Sequence, residues 1–530
     1  MMKHNRSYKS LKVFILLFLV CSIILPLFSL IRNIHPSDVM KVISSTQFQP
    51  MVWNSLFTTT IATCISVSLA FALAWCINRS NIRYKSLFAV LFTLPMLIPS
   101  ISHGMGLVLL LGDNGFLTNI LGVNIQLYGY TGIIIGAVLY SFPVAFLMLT
   151  DVFRYEDYTA YEAAQVLGLN KFQQFRAITL PHMAKPLIAV VFAVFTMIFT
   201  DYGVPLAVGG KILTLPVYMY REVIGLLDFS KGAIIGLILL IPAFIAFILD
   251  VVKDDVVNSS TITKAYKIPM NRLRDGLAYC LCIFTVICIS LPLLTFLYLS
   301  VVKQYPVDMS FSFDNIKKAF DLGVGFYLKS SLAIAFMTSL IGVCITYFTA
   351  YITARSKRSF TNLTLHLISM VSLAIPGLVL GLCYVLFFKG SFLYGGIMIL
   401  VLVNITHFFA SPYLLAFHSL SKFHSNLEDI SNTLGISKLR MLWDVYIPCT
   451  KETLIEMFSY MFVNAMITIS AVSFLANFKN LPLSLLIPQF DSQSLIEATA
   501  FISIMILFVN VVVKAIIFFL KRVFMREHTE

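Results

Sequence analysis

The sequence predicts an all-α membrane protein with about twelve transmembrane helices, arranged as two tandem six-helix repeats. Of 530 residues, 59% are hydrophobic and only 12% are charged. A soluble domain has about 25% charged residues, so this chain lacks the polar surface that a soluble globule of its length needs. The apolar residues come in runs of about 20, which suits helices that cross a bilayer and exceeds the strands of a membrane β-barrel.

Each long apolar run is interpreted as one span. The predicted spans cover residues 13–33, 55–77, 87–111, 130–150, 186–208, 232–250, 277–301, 331–353, 364–388, 395–419, 454–476 and 497–520. Most of the 38 lysine and arginine residues fall on one side of the membrane when the spans alternate. The positive-inside rule assigns that side, and with it both termini, to the cytoplasm. The rule also accounts for the net charge of +13 without a nucleic-acid partner.

The two halves of the chain repeat each other. Residues 54–80 resemble residues 330–356, and an Ile-Pro pair at 98–99 recurs at 375–376. Because each half holds an even number of spans, both halves have the same orientation, and a substrate path is expected between them. The predicted organisation is a first permease-like half over 1–252, a cytoplasmic linker over 253–275 and a second half over 276–530.

The segment between the fourth and fifth predicted spans, residues 151–186, is too long for a simple connector. Its pattern predicts two short helices, about 156–167 and 170–178, joined at Gly168 and ended by a Leu-Pro pair. Glycine suits the joint because the residue after a helix often needs a left-handed conformation. We expect the acidic residues of the first helix, Glu156 included, to face solvent.

The second half carries the same element at the equivalent position, centred on Gly435. The two elements are called loop 1 (residues 156–181) and loop 2 (residues 423–448), and both are predicted on the cytoplasmic side. Exposed apolar residues such as Leu442 and Trp443 need a partner that covers them. An alternative is that both loops lie on anionic lipid, because basic residues on each loop also suit an amphipathic helix at the bilayer surface.

Loop 1 resembles the EAA loop of binding-protein-dependent ABC importer permeases. The motif is Glu-Ala-Ala, three residues, Gly, nine residues and Ile-x-Leu-Pro. Loop 2 keeps the glycine spacing but has lost both alanines, which puts the equality of the two loops in doubt. The matching residues are Glu162, Ala163, Ala164, Gly168, Ile178, Leu180 and Pro181 in loop 1, and Asp429, Gly435, Val445, Ile447 and Pro448 in loop 2.

In that family the loop docks into a groove on a separate ATPase subunit. The resemblance therefore implies two ABC ATPase subunits, an extracytoplasmic substrate-binding protein and the lipid bilayer as partners. It also implies a multi-pass protein of the bacterial cytoplasmic (inner) membrane that works by alternating access.

The resemblance covers nearly the whole chain, and fused two-half permeases of about this length transport ferric iron, thiamine or phosphonates. Residues 199–250 and 301–320 are most similar to 2-aminoethylphosphonate permeases. The resemblance thus implies 2-aminoethylphosphonate or a related phosphonate as substrate, with ferric iron or thiamine as the alternative.

The sequence contains no G-x-x-x-x-G-K-[ST] phosphate-binding loop, so we expect no cofactor on this chain and ATP to be used by the partner ATPase. No HExxH or GxSxG motif indicates an enzyme or a metal site, and the nine cysteines are interpreted as packing residues. An ion-gradient-driven secondary transporter is the alternative class. It needs several buried carboxylates, and only Asp201 lies at a plausible depth. A scaffold or membrane enzyme is a third hypothesis.

Polar residues inside the predicted spans are candidates for a translocation path, because such groups are costly in a bilayer and are often functional. The candidates are Ser102, His103, Asp201, Tyr202, Asn404 and His407. Pro99 predicts a broken third span whose backbone lines a cavity. Asp201 is alternatively a solvated loop residue or a helix cap, and the pair Asn404 and His407 alternatively form hydrogen bonds between helices.

Overall fold

A computed structural model describes residues 2–122, 126–154, 156–252, 266, 268–356, 359–424 and 426–526. Most of the described residues are helical, which confirms the all-α membrane class. Their two strands, Val302–Gln304 and Asp308–Phe311, form one antiparallel hairpin with Val302 opposite Phe311 and Gln304 opposite Asp308. Most of the predicted linker lies outside the described residues, and the predicted boundaries of the two halves stay a prediction.

Seven helices in the described part are long and apolar enough to cross a membrane, or up to ten spans if each bent helix pair counts as one. The seven are Ser10–Arg32, Phe48–Arg79, Tyr130–Arg154, Lys171–Phe199, Arg272–Leu299, Val324–Ala354 and Ile496–Val523. The bent pairs are Lys85–Leu97 with Ser100–Ile120, Phe360–Ala374 with Gly377–Phe388, and Ile397–His407 with Ala410–Ser421. Helices Phe229–Val252 and Lys451–Ile467 occupy the remaining predicted spans.

Shorter helices connect these elements. They are Pro36–Ile43, Phe116–Leu121, Thr159–Val166, Gly203–Val208, Leu215–Gly225, Asp314–Asp321, Asn426–Thr433, Lys438–Met441, Ile447–Cys449 and Leu483–Ser492. Two predicted spans are shorter than expected: the helix expected over 186–208 stops at Phe199, and the one over 454–476 stops at Ile467. In the first case the carboxylate of Asp201 accepts from the amides of the next turn, so a new helix begins there.

The third and ninth spans are broken at equivalent places. They bend by 99° and 112°, and in each a 3₁₀ turn, Leu94–Leu97 or Ser372–Ala374, precedes the Ile-Pro pair. Proline removes an amide donor and disfavours the α conformation of the residue before it, so a helix ends there. In the first half, His103 Nε2 lies 3.1 Å from the carbonyl oxygen of Pro95 and bonds a group that the break leaves open.

The two long helices, Phe48–Arg79 and Val324–Ala354, hold equivalent positions. Ser55 Oγ accepts a hydrogen bond from the amide of Leu215 at 2.8 Å, and Ser331 Oγ accepts one from the amide of Leu483 at 2.6 Å. Each serine thus bonds the first residue of the short helix that faces it.

The first helix of each half packs on the other half. At the chain's N-terminal helix, the carbonyl oxygen of Ser22 accepts from the Tyr384 hydroxyl at 2.9 Å. In the other direction, helix Arg272–Leu299 packs on the first half, and its Asp275 accepts from the amide of Asn81 at 3.0 Å. The halves are therefore interlocked, although they follow one another in sequence.

Gly106 provides a test of this exchanged packing. A Cβ atom there would lie 2.9 Å from Pro292 and 3.2 Å from Phe296 of the exchanged helix. We expect Gly106→Leu to destabilise the detergent-solubilised protein by about 1–3 kcal/mol, because the added side chain overpacks this contact. A lower midpoint of thermal unfolding would report the loss.

Gly276→Leu is the matched control, because nothing lies within 4 Å of a Cβ at Gly276 on the same exchanged helix. Equal midpoints for the two variants would contradict the exchanged arrangement.

Candidate functional site

Loop 1 forms the predicted helix-turn-helix element. Its first helix is Thr159–Val166, and Gly168 has φ +74°, a left-handed conformation that suits glycine. The second helix begins at Lys171 behind a capping box, in which Asn170 and Gln173 each accept from the other's amide at 2.9 Å. Side chain and backbone therefore both define the turn.

Loop 2 repeats the design. Its first helix is Asn426–Thr433, Gly435 has φ +68°, and the Ser437 side chain caps the second helix. Trp443 is 60% exposed, as expected, whereas Leu442 is fully buried, contrary to the prediction. Leu442 opens a π-helical turn whose inner face packs on the protein, so only its neighbour reaches the surface.

The second helix of loop 1 does not end at its proline, contrary to the prediction, whereas that of loop 2 ends at Cys449, one residue after Pro448. π-helical turns, Phe175–Thr179 and Leu442–Tyr446, carry the chain directly into the following helices. Proline lacks an amide donor and its ring collides with the carbonyl four residues earlier, and a wider turn accommodates both effects. Loop 1 is thus continuous with the spanning helix Lys171–Phe199.

The motif residues differ in exposure. Those that are exposed are Ala163, Gly168, Leu180, Pro181, Asp429, Gly435 and Pro448. Those that are half-buried are Glu162, Ile178, Val445 and Ile447, while Ala164 is buried. Leu167 and Leu434, at equivalent positions beside the two glycines, are 78% and 67% exposed. Each loop therefore presents an apolar tip, and the role of the motif residues stays a prediction.

Glu156 is buried rather than exposed, which corrects the sequence prediction. Its carboxylate forms an ion pair with Arg79, and both side chains are 3% exposed. Burial, together with the hydrogen bond to Glu156, raises the pKa of Tyr161. In loop 2, burial and the bond to Glu428 raise the pKa of Tyr446 to about 12. Both phenols therefore stay protonated at neutral pH and remain hydrogen-bond donors.

A cavity of about 970 Å³ lies between the two halves. Its polar lining comes from Tyr140, Thr196, Thr200 and Asp201 of the first half and from Ser372, His407, Ser411, Glu456, Ser459, Tyr460, Asn464, Ser470, Lys514 and Lys521 of the second. Both halves supply its walls, as the repeat predicts for a substrate path.

Asp201 lines this cavity and also caps a helix. Its carboxylate accepts from the amide of Val204 at 2.9 Å and from that of Gly203 at 3.3 Å. Asp201 is thus a helix cap, as one of the alternatives proposed, and it also borders the cavity, while its part in a translocation path stays a prediction. His407 lines the same cavity, so the structure brings these two candidates together.

The other candidates lie outside the cavity lining. Ser102 Oγ is 3.1 Å from the hydroxyl of Ser503, and His103 bonds the broken helix. The Tyr202 hydroxyl is 2.7 Å from Ser473 Oγ across the interface of the halves. Asn404 is fully buried.

Lys514 is a cavity residue that the path candidates did not include. It lies on the last helix, two turns before Lys521, whose ammonium pairs with Glu456. Among the described residues Lys514 has no ion-pair partner, so its charge is available to the cavity. The sequence signal was present, since a lysine inside a predicted span is rare.

Residues 62–255 and 342–526 each match the family described as "Binding-protein-dependent transport system inner membrane component". The chain is 26% identical to the ferric transport system permease protein FbpB of Actinobacillus pleuropneumoniae, over 83% of this chain and 66% of that protein. It is 23% identical to the thiamine transport system permease protein ThiP of Brucella abortus, over 55% and 53%. It is 30% identical to the molybdenum transport system permease protein ModB of Haemophilus influenzae, over 29% and 71%.

Thiol labelling tests whether the cavity is open to water. In a variant without the nine native cysteines, we expect Ser411→Cys, on the cavity wall, to react with a charged maleimide in detergent. Ser102→Cys is the control, because Ser102 is fully buried. Rates differing by at least tenfold are expected, and equal rates would mean that water does not fill the cavity.

Proposed function

We propose that this chain, which belongs to the family of binding-protein-dependent transport system inner membrane components, is the membrane-spanning permease subunit of an ATP-driven ABC importer. The observation that carries the proposal is the pair of loops with left-handed glycines and exposed apolar tips at the same end of two repeated halves. Exposed apolar tips mark a surface that a protein partner or a membrane covers. Two ABC ATPase subunits of matching symmetry would do so.

In this proposal the chain itself hydrolyses nothing and binds no cofactor. A separate binding protein delivers substrate to the end away from the loops, and the ATPase subunits bind the loops from the cytoplasm. The N-terminus is then cytoplasmic, because its helix lies beside loop 2, where the Lys438 ammonium is 4.6 Å from the Tyr8 ring. We propose the same side for the C-terminus, because Lys521 on the last helix pairs with Glu456 in the helix that follows loop 2. ATP-driven movement of the loops changes which end of the cavity is open.

The cavity also bears on the alternative class. A transporter driven by an ion gradient needs carboxylates that bind and release the coupling ion. Among the described cavity residues the carboxylates are Asp201, which is held by backbone amides, and Glu456, which is paired with Lys521. The importer proposal therefore accounts better for both the cavity and the loops.

Two substrate classes are proposed, each on its own observation. Two of the three relatives described above are a ferric and a thiamine transport permease, and the third is a molybdenum transport permease; none is a phosphonate permease, which favours ferric iron or thiamine over a phosphonate. Lys514 in the cavity, which has no ion-pair partner among the described residues, favours an anion or zwitterion such as 2-aminoethylphosphonate over a bare cation. The described residues also contain no cluster of three or more side chains suited to hold a metal ion.

Gly168→Pro tests the proposed loop function. Proline fixes φ near −65°, whereas Gly168 has φ +74°, so the turn between the loop helices cannot form. We expect ATP-driven uptake into proteoliposomes to fall by at least tenfold, roughly 1.4 kcal/mol, with membrane insertion intact. Glu162→Arg, which reverses a charge of the motif, is expected to act in the same direction.

Gly122→Pro is the matched control. Gly122 has φ +64° and, like Gly168, has open space around a Cβ, but it lies at the other end of the molecule. Equal uptake by Gly168→Pro and Gly122→Pro would refute a coupling role for loop 1.

Lys514→Ala separates the two substrate classes. If the cargo is 2-aminoethylphosphonate, removal of this charge should lower its uptake by about tenfold or more, because a charged hydrogen bond contributes about 1.5–3 kcal/mol, while Lys514→Arg retains it. If the cargo is ferric iron or thiamine, neither substitution should lower uptake. Uptake of each labelled compound by the reconstituted complex distinguishes the cases.

A further inference from the structure

Arg79, the last residue of the first long helix, is connected to both helices of loop 1. Its guanidinium pairs with the buried carboxylate of Glu156. Glu156 Oε1 accepts from the Tyr161 hydroxyl at 2.5 Å, and that hydroxyl lies 2.5 Å from Thr179 Oγ1. These four residues, called joint 1, form an unbroken chain of polar contacts from the long helix through the first loop helix to the π-helical turn.

The second half has a corresponding set, called joint 2, of Arg355, Glu428 and Tyr446. Arg355 Nε is 2.7 Å from Glu428 Oε1, and its second terminal nitrogen is 2.5 Å from Oε2. The Tyr446 hydroxyl donates to the same carboxylate at 2.6 Å. A bidentate arginine–carboxylate pair fixes orientation as well as distance, so the loop helix is held at a set angle to the long helix.

The two joints occupy equivalent positions in the two halves, but the residue types at those positions differ. Counted from the central glycines, Tyr161 of loop 1 corresponds to Glu428 of loop 2, and Thr179 corresponds to Tyr446. The arginine alone keeps both its position and its identity. Because the arginine–carboxylate–tyrosine set recurs with its members in different places, the connection itself is the feature that both halves share.

Each long helix in turn packs on helices that line the cavity. The first packs on Tyr130–Arg154, which supplies Tyr140 to the cavity, and the second packs on Lys451–Ile467, which supplies Tyr460. In each half, therefore, one helix–helix contact separates the long helix, which the joint connects to its loop, from the wall of the cavity.

We propose that joints 1 and 2 transmit the displacement of the loops to the two long helices and thereby to the cavity. This inference rests on the proposed importer function. Arg79 and Arg355, which contact the loops, and Glu156 and Glu428, which belong to them, are positioning residues in this scheme, because they act through the loops rather than on a substrate or nucleotide. Tyr266 also contacts joint 1, with its ring centre 3.5 Å from the Arg79 guanidinium.

The test separates ATP hydrolysis from movement. The complex of this chain with its ATPase subunits and binding protein would carry spin labels at Asn119→Cys and Phe392→Cys, in a background without native cysteines. These sites are exposed and lie on opposite halves at the end away from the loops. Hydrolysis is measured directly, and the label distance is measured before and after ATP with vanadate.

We expect Arg79→Gln and Arg355→Gln to hydrolyse ATP but to lose at least half of the ATP-dependent distance change. Arg274→Gln is the matched control, since Arg274 pairs with Asp275 at the same end without touching either loop. Tyr161→Phe and Tyr446→Phe leave both ion pairs in place and should show a smaller loss, which keeps the test decisive if an arginine variant does not fold.

An unchanged distance change in the arginine and tyrosine variants, or an equal loss in Arg274→Gln, would overturn the joint proposal alone. A wild-type complex that shows no ATP-dependent distance change would instead overturn the importer function on which the joints depend.

Discussion

Backbone amide and carbonyl groups inside a bilayer have no water to bond, so each break in a spanning helix of this protein has to be closed by another group. His103 bonds the Pro95 carbonyl oxygen beside the break at Pro99, Ser55 and Ser331 each bond the first amide of a facing helix, and Asp201 bonds two amides where the fifth span stops. These four polar residues therefore bond backbone groups. Asp201 alone among them also lines the cavity.

The features that follow from local sequence were predictable. Apolar run length located most of the spans, Pro99 predicted the break in the third span, and Gly168 and Gly435 marked the left-handed turns of the loops, whereas the equivalent break at Pro376 was not predicted. Each depends on residues adjacent in the chain, such as the conformational restriction that proline places on its predecessor. The repeat followed from the same local signals, because both halves carry them at equal spacing.

Features that depend on residues far apart in the chain were not predictable. Glu156 lies in a polar segment just before a helix, where the sequence suggests exposure. Its burial depends on the ion pair with Arg79, which is distant in sequence, because an unpaired buried carboxylate is very costly in free energy. The packing of each half's first helix on the other half could not be predicted, because the hydrophobic pattern of a helix does not depend on which neighbour it packs against. The π-helical turns likewise replaced a predicted helix end, since a proline can be accommodated by a wider turn as well as by a stop.

The interlocked halves restrict how the cavity can change shape. Helix Arg272–Leu299 is bonded to the first half at Asn81, and the N-terminal helix is bonded to the second at Tyr384, so the halves cannot simply separate. A rotation of each half about these shared contacts is the motion that preserves the packing, because close-packed interfaces shift between discrete arrangements rather than stretch. Arg79 and Arg355, at the loop ends of the two long helices, lie where the proposed displacement of each loop would reach its half. The placement of the buried ion pairs and the exchange of the first helices thus fit one mechanical arrangement, in which the loops turn two interlocked halves around a common cavity.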